Sequence, residues 1–234
     1  MWFDGNDASS ITLDGNGNIT QWSDKSGNDY HATKSSTYQP TYTAAAINGR
    51  GAIDFTLDDF QYLLTSTTVP IRGDMTFFIV AEMKSGGSND GSTQMISWDG
   101  TSDSGSNRLY EFSAYNGNSN FGFREDSDVS LKDSPGTLSP GLDSPFLTSA
   151  YRDKSVPELS TQLNRGAAMS TTFPGGTSGN TTNSTTGQLN IGINKVTNSR
   201  YHYGYIGEII IYNKLLNTQE IELLQTYLIE KWGL

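Results

Sequence analysis

The run MTFFIVAEM, from Met75 to Met83, is apolar on both of its alternating faces. Successive side chains of a strand point to opposite sides, so Phe77 and Ile79 share one face. Phe78 and Val80 share the other face. A strand whose two faces are both apolar must be covered from both sides. The run therefore predicts a central strand with a layer of structure on each side of it.

Most of the remaining sequence has the pattern of short strands joined by turns. Short apolar runs recur along the chain and are bounded by Gly, Asn, Asp and Pro. The 25 glycines and the 17% of charged residues fit this pattern better than a helical bundle. We therefore expect an all-β fold with two antiparallel sheets. A chain of 234 residues suits one such sandwich, so residues 1–234 are predicted to form a single domain.

The end of the sequence, KLLNTQEIELLQTYLIEKWGL, has helical spacing instead. Asn217 can accept from the first turn while Glu220 reaches back to it, which is the capping-box pattern. Gly233 is a stop signal. The sequence therefore predicts a helix over about 217–232. The preceding run GEIIIYN is apolar on both faces, which indicates that this helix covers one of them.

These segments together resemble a known family. The N-terminal WFDGNDASSITLDGNGNITQWSD and the C-terminal GYIGEIIIYNKLLNTQEIELLQTYLIEKWGL are similar to the laminin-G-like jelly-roll domains of the concanavalin A-like lectin/glucanase superfamily. INGRGAIDF and TFFIVAEM fall between them in the family's order. The resemblance implies two sheets packed face to face, with the first strand near the last. Its members include carbohydrate-binding modules, adhesion domains, and parts of bacterial surface proteins and phage virions.

Charge and composition exclude several partners. The net charge of -10 and the pI near 4.5 repel nucleic acid and anionic membranes. No stretch is long and apolar enough to predict membrane insertion. The chain has no cysteine, hence neither a disulfide framework nor a cysteine metal site. Its acidic, Thr-, Asn- and Gly-rich sequence suits an extracellular location, on a phage virion or a bacterial cell surface.

The motif DGNGN has two interpretations. Asp14, Asn16 and Asn18 alternate like the first ligands of an EF-hand calcium loop. The sixth and twelfth positions of that loop require Gly and Glu, but Ile19 and Lys25 occupy them. A Gly/Asn turn between two short strands is the favoured interpretation.

The resemblance implies a second metal hypothesis. Many members of the superfamily hold a structural calcium near the junction of the N-terminal segment and the last strand. Glu208 lies in that strand, and Asp4 and Asp7 could supply further oxygens. Alternatively, Glu208 pairs with a nearby basic group. No cofactor is required on either interpretation, and a bound calcium would stabilise the fold.

A catalytic site is not predicted. Retaining glucanases of the superfamily carry two carboxylates in an E-x-D-x-x-E strand motif, which this sequence lacks. His31 and His202 fall in polar segments without a nucleophile motif or metal spacing. A glycoside hydrolase with an unrecognised site is the weakest alternative.

Two segments combine aromatic and polar residues, LYEFSAYNGNSNFGFRED and NSRYHYGY. Sugar rings stack their C–H faces on aromatic rings and bond through their hydroxyls, so such mixtures are typical of glycan sites. Alternatively, these aromatics belong to the core, as we expect for the four tryptophans. The candidate ligand-binding residues are Tyr110, Tyr115, Arg124, Tyr201, His202 and Tyr203.

The sequence thus predicts a non-catalytic recognition or adhesion module for cell-surface glycans. The alternative is a purely structural virion decoration or spacer domain that contacts neighbouring proteins. Either function is compatible with a homo-oligomer.

Overall fold

The computed structural model describes most of the chain. The described residues are 1–56, 60–66, 69, 74–86, 93–100, 108–115, 120–126, 131–133, 140–153, 155, 158–172, 187–194 and 200–234. They form two large antiparallel sheets, a two-stranded sheet and a C-terminal helix, which confirms the predicted all-β class. None of the helices in these ranges is long and apolar enough to cross a membrane.

The strands are short, as the turn-rich sequence predicts. In chain order they are β1 Trp2–Asp4, β2 Ile11–Leu13, β3 Ile19–Trp22, β4 Ala32–Thr33, β5 Thr41–Ile47, β6 Arg50–Asp54, β7 Leu63–Thr65, β8 Met75–Met83, β9 Thr93–Gly100, β10 Arg108–Tyr115, β11 Asn120–Asp126, β12 Leu131–Asp133, β13 Pro145–Asp153, β14 Glu158–Leu163, β15 Met169–Thr172, β16 Gly187–Ile191, β17 Ile193–Asn194, β18 Arg200–Tyr201 and β19 Gly204–Tyr212. A 3₁₀ turn covers Ala8–Ser10, and the helix α1 covers Thr218–Trp232.

The first sheet has the order β15-β14-β13-β8-β19-β6-β5, and β1 also pairs with β19. The nine-stranded second sheet has the order β12-β11-β10-β9-β16-β7-β4-β3-β2. Strands β17 and β18 form a separate pair that lies beside β9. The pairing of β1 with β19 confirms that the first strand lies next to the last one.

Strand β8 is central, as its sequence predicts, and one of its faces enters the core between the sheets. Phe77 and Ile79 pack there with Ile209 of β19. Trp22 and Trp98 enter the same core from the second sheet. Each of these side chains is at most 1% exposed, so each contributes about 1.5–3 kcal/mol through apolar burial.

The other face of β8 packs under α1. Phe78 and Val80 join Ile210 of β19 in a second core. Leu228 and Trp232 close this core from the helix. The first sheet is therefore buried on both faces, which explains why β8 and β19 lack polar alternation.

Helix α1 begins and ends at the residues that the sequence indicates. The Asn217 side chain accepts from the backbone N–H of Glu220 at 2.9 Å. The Glu220 carboxylate accepts from the Asn217 N–H at 2.8 Å, which completes the capping box. Gly233 ends the helix in the left-handed conformation, with φ +66°.

Gly207 allows the helix to approach β19 closely. A Cβ atom at this position would lie 2.7 Å from the Trp232 ring. The register of β19 against β8 also shifts between Ile206 and Glu208, as a β-bulge would produce. Any larger residue at position 207 would therefore displace the Trp232 ring.

The motif DGNGN is a turn between β2 and β3, so the favoured interpretation is confirmed. Asp14 Oδ1 accepts from the N–H groups of Asn16 at 2.8 Å and Asn18 at 2.9 Å. The Asn18 side chain donates to the other carboxylate oxygen at 2.9 Å. The Asn18 side chain first, and then the backbone N–H groups, lower the pKa of Asp14 below its usual value.

Candidate functional site

The three acidic residues of the calcium hypothesis lie close to two lysines. Asp4 of β1 is directly opposite Glu208 of β19 in the strand pairing. Lys231 of α1 reaches both, with its Nζ 2.9 Å from Asp4 Oδ2 and 2.7 Å from Glu208 Oε2. Lys25 Nζ lies 3.2 Å from Asp4 Oδ2 and 2.7 Å from Asp7 Oδ2. We call Asp4, Asp7, Lys25, Glu208 and Lys231 the ion-pair cluster.

Glu208 is fully buried, and its carboxylate has further donors. The Trp2 indole N–H donates to Oε1 at 2.8 Å, and the Trp232 indole N–H donates to Oε2 at 2.7 Å. With Lys231, this carboxylate receives three hydrogen bonds from two separate elements. Bonds of this kind compensate the desolvation of a buried charge. Glu208 therefore pairs with the basic group of Lys231, as the alternative to the calcium hypothesis expects.

Electrostatics favour the charged forms of Lys231 and Asp7. Burial lowers the pKa of Lys231, but hydrogen bonds to Glu208 and Asp4 outweigh it, so the pKa is raised. Hydrogen bonds from Lys25 and then from Ser9 lower the pKa of Asp7 to about 2. The two ammonium groups lie against the oxygens that a calcium ion would use. Within the described ranges, no group of three or more acidic, His or Cys side chains has the geometry of a metal site. Calcium binding remains a prediction and would require displacement of the lysines.

Three of the predicted ligand-binding residues lie in the outer part of the second sheet. Tyr110 and Tyr115 are in β10, opposite Glu125 and Asn120 of β11. Arg124 of β11 pairs with Glu111 and Asp133 through the backbone. The side chains of these three candidates lie outside the described residues. Strands β9 and β16 lie between β10 and β7 in the sheet, so β10 is about 14 Å from β7.

The other three predicted residues, Tyr201, His202 and Tyr203, are consecutive in the sequence. Tyr201 in β18 is only 4% exposed. Tyr203 is half-buried, and its carbonyl accepts from the Lys84 N–H just beyond the end of β8 at 3.0 Å. Tyr201 and Tyr203, two positions apart, therefore differ in burial.

His202 is buried, although it falls in the polar segment NSRYHYGY. The residue is 1% exposed, and its ring lies edge-on to Phe55 with 5.7 Å between ring centroids. Burial lowers the pKa of His202 to about 4, although the Tyr205 carbonyl and Asp54 act in the opposite direction. The polar sequence around His202 gave no sign of this burial. His202 lies just beyond the end of β18 at Tyr201, so no strand pattern applies to it.

Tyr201 supports a surface group of aromatic rings from three distant segments. Its ring is 4.8 Å from Phe60, and Phe60 is 5.4 Å from Tyr38, measured between centroids. Tyr38 and Phe60 are 46% and 44% exposed. Tyr62 adjoins them, since its N–H donates to the Tyr38 carbonyl at 3.2 Å. We call Tyr38, Phe60, Tyr62 and Tyr201 the aromatic patch.

The loop that carries Tyr38 is held in an uncommon conformation. Tyr38 has φ +66°, which is costly for an aromatic residue and often marks a functional position. The Gln39 side chain donates to the carbonyls of Lys34 at 3.0 Å and Ile19 at 3.1 Å. The Gln61 side chain in turn donates to the Gln39 carbonyl at 2.9 Å. These bonds tie the Tyr38 loop to the segment that carries Phe60 and Tyr62.

Lys34 places a positive charge beside the rings. Its Nζ lies 4.2 Å from the Tyr62 ring centroid and 2.9 Å from the Tyr62 hydroxyl. Among the described residues, no carboxylate forms an ion pair with Lys34. The patch therefore offers ring faces, hydroxyl groups and a cation to a ligand.

Apart from Tyr201, the sequence prediction missed the patch. Phe60 lies just before the strand-like run Tyr62 to Leu64, and Tyr38 lies in the polar segment KSSTYQP. An aromatic residue isolated among Ser, Thr and Gln was the available signal, because such a residue has no neighbouring apolar pattern to bury it.

Comparisons with known proteins identify a fold rather than a family. No family model matches the sequence, and no curated protein is significantly similar to it. Among solved structures, the chain resembles the native heptameric SAP-like pentraxin from Limulus polyphemus. The TM-score is 0.55 at 14% identity, over 74% of this chain and 78% of the pentraxin.

Two further structural neighbours belong to sialidases. The Trypanosoma rangeli sialidase matches 96% of this chain with a TM-score of 0.59 and 12% identity, and the match spans 32% of that enzyme. The Ruminococcus gnavus IT-sialidase CBM40, solved with α2,3-sialyllactose, matches with a TM-score of 0.52 and 12% identity. That match covers 67% of this chain and 84% of the module. These neighbours show that the chain has a jelly-roll-like sandwich fold. Its assignment to the concanavalin A-like superfamily and to the laminin-G-like group remains a prediction.

Proposed function

We propose that this chain is a non-catalytic recognition module that binds a cell-surface glycan through the aromatic patch. The observation that carries the proposal is the exposed pair of rings, Tyr38 and Phe60, held beside Lys34. Large rings with more than two-fifths of their surface in water gain free energy when a ligand covers them. Lys34 can donate to hydroxyl or carboxylate oxygens at the edge of a stacked sugar.

The patch has a further property of a binding site, namely that it is pre-organised. Tyr201 lies almost fully buried behind Phe60, and the glutamine bonds fix the loop that carries Tyr38. A surface that is already ordered loses little conformational entropy when it binds. The carbohydrate-binding module among the structural neighbours supports the proposal at the level of fold only.

We also propose that the module belongs to a phage virion or a bacterial cell-surface protein. The acidic, cysteine-free composition supports this location. Assembly into a homo-oligomer remains a prediction, and light scattering of the purified chain measures it directly.

The proposal is tested with a glycan array that includes neutral and acidic oligosaccharides. We expect the chain to bind at least one glycan, and Phe60→Ala or Tyr38→Ala to weaken that binding about tenfold, or about 1.4 kcal/mol. Leu142→Ala is the matched control, because Leu142 is 47% exposed and is not part of the patch.

Two results would contradict glycan binding at the patch. An array without any bound glycan would favour the structural spacer or virion decoration domain. Binding that survives both ring substitutions would place the glycan elsewhere on the chain. Release of reducing ends from a bound polysaccharide would contradict the non-catalytic part of the proposal.

A further inference from the structure

A cleft of about 490 Å³ lies between the start of β1, the end of β19 and the middle of α1. This volume is within the usual range of small-ligand sites, about 300–1,000 Å³. The lining includes three aromatic and three uncharged polar side chains: Trp2, Tyr212, Tyr227, Ser26, Asn28 and Asn213. None of these residues belongs to the aromatic patch.

Trp2 forms a rigid wall of the cleft. Its indole N–H donates to Glu208 at 2.8 Å, and Lys25 Nζ lies 4.6 Å from the ring centroid. Its backbone N–H donates to Asp24 Oδ1 at 2.8 Å. Contacts with Glu208 and Lys25 of the ion-pair cluster thus hold the Trp2 ring in place. Rotation of the ring into the cleft would break its hydrogen bond to the buried Glu208 carboxylate. The cleft is consequently pre-formed.

The opposite wall and the floor are apolar. Ile210 and Ile211 are 7% and 4% exposed and form part of the lining, together with half-buried Leu224. Tyr227 is 44% exposed, and Lys231 Nζ lies 5.5 Å from its ring centroid. Its ring is available to cover the face of a ligand.

The rim supplies hydrogen-bonding groups without charge. Among the described residues, the exposed Asn213 side-chain amide has no hydrogen-bond partner. The exposed Asn28 amide uses one donor, to the Ser26 hydroxyl at 2.9 Å. No side chain in the lining is charged. The α-amino group of Met1, which also lines the cleft, already donates to the Ile211 carbonyl at 2.9 Å. Lys25 and Lys231 lie beside the Trp2 and Tyr227 rings, but both are paired with carboxylates of the ion-pair cluster. A charged ligand would therefore lose its hydration here without gaining a free counter-charge.

From these features we propose a second binding site, which takes a neutral saccharide. Apolar ring faces would stack on the Trp2 and Tyr227 walls, and ligand hydroxyls would pair with the Asn28 and Asn213 amides. The site differs from the aromatic patch, where Lys34 supplies a cation. The inference does not depend on glycan binding at the patch, because the two sites share no residue.

Tryptophan fluorescence tests the site directly. Trp22, Trp98 and Trp232 are at most 1% exposed, whereas Trp2 is half-buried and lines the cleft. We expect maltotriose, cellotriose or chitotriose to shift the emission, with affinity in the millimolar range or tighter. The acidic trisaccharide of galacturonic acid should produce no shift.

Substitutions at exposed positions locate the effect. We expect Tyr227→Ala and Asn213→Ala each to weaken the response about tenfold. Leu223→Ala is the matched control, because Leu223 is 71% exposed on the same helix but does not line the cleft. Phe60→Ala should leave the response unchanged, so this site and the patch can fail separately.

The proposal is overturned if none of the neutral trisaccharides shifts the emission, or if the shift survives both Tyr227→Ala and Asn213→Ala. It is also overturned if the apolar dye 8-anilinonaphthalene-1-sulfonate binds in the cleft while no saccharide does. That last result would assign the cleft to an apolar partner instead. Melting curves of the variants establish that each remains folded.

Discussion

The ion-pair cluster and the aromatic patch use similar residues to opposite effect. Each has lysine beside aromatic side chains. Lys231 of the cluster contacts two carboxylates, and the neighbouring Trp232 is fully buried. Beside the patch, the Lys34 ammonium donates to the Tyr62 hydroxyl, and Phe60 is 44% exposed.

The two regions differ in whether their charged groups are paired and whether their aromatic rings are buried. The Glu208 carboxylate is fully buried and has three donors, so a ligand does not reach it and the cluster contributes to folding. The exposed rings of the patch, and the Lys34 ammonium that pairs with no carboxylate among the described residues, are accessible to a ligand. Stability and recognition are thereby assigned to different places on one sandwich, and substitutions should separate them.

The largest effect is expected from Trp232→Ala. This change removes a fully buried ring from the core under α1 and a hydrogen bond from Glu208. We expect the free energy of unfolding to fall by about 3–5 kcal/mol. Urea denaturation measures the loss, and Tyr227→Ala on the exposed side of the helix is the control. An effect below about 1 kcal/mol would contradict the role of Trp232 in the core.

A pH titration tests the burial of His202, which follows Tyr201 of the patch in the sequence. The pKa of His202 falls from 6.5 to about 4 on folding. Between these pH values the unfolded chain binds a proton that the folded chain excludes, so stability falls as the pH drops through this window. The loss should approach about 3 kcal/mol. His202→Phe should flatten the difference in unfolding free energy between pH 7 and pH 4, whereas His31→Gln should retain it.

The smallest effect is expected at the exposed edge of the ion-pair cluster. The pKa of Asp7 falls from 3.8 to about 2, so its contribution is present above pH 4 and lost as the pH falls towards 2. The side chain is 33% exposed, which limits that contribution to about 1 kcal/mol or less. Asp7→Asn should lower the melting temperature slightly at pH 7 and not at pH 2. Asp29→Asn, at an 87% exposed side chain, is the control. A difference that persists at pH 2 would exclude the Lys25 pairing as its cause.

Local patterns predicted the fold well. Alternation along Met75–Met83 gave a strand buried on both faces, and Asn217, Glu220 and Gly233 marked the ends of α1. These features depend on residues that are close in sequence, where spacing alone determines which side chains share a face.

The candidate sites depended on contacts that spacing does not reveal. Lys25 and Lys231 are 206 positions apart, and both contact Asp4 because β1 pairs with β19 and α1 packs beside them. The patch likewise joins Tyr38, Phe60 and Tyr201 from separate segments of the chain. Prediction of such a group requires the register of the sheets, which a single sequence does not specify.

The pairing of β1 with β19 also determines the order in which the molecule can be completed. The ribosome synthesises Trp2–Asp4 about 200 residues before the hydrogen-bonding partner of this strand, Gly204–Tyr212. Until that partner is made, the nascent chain holds an unpaired edge and an Asp4 carboxylate without its Lys231 partner. Closing a loop of this length delays folding, so the sandwich is completed only after β19 and α1 have been synthesised.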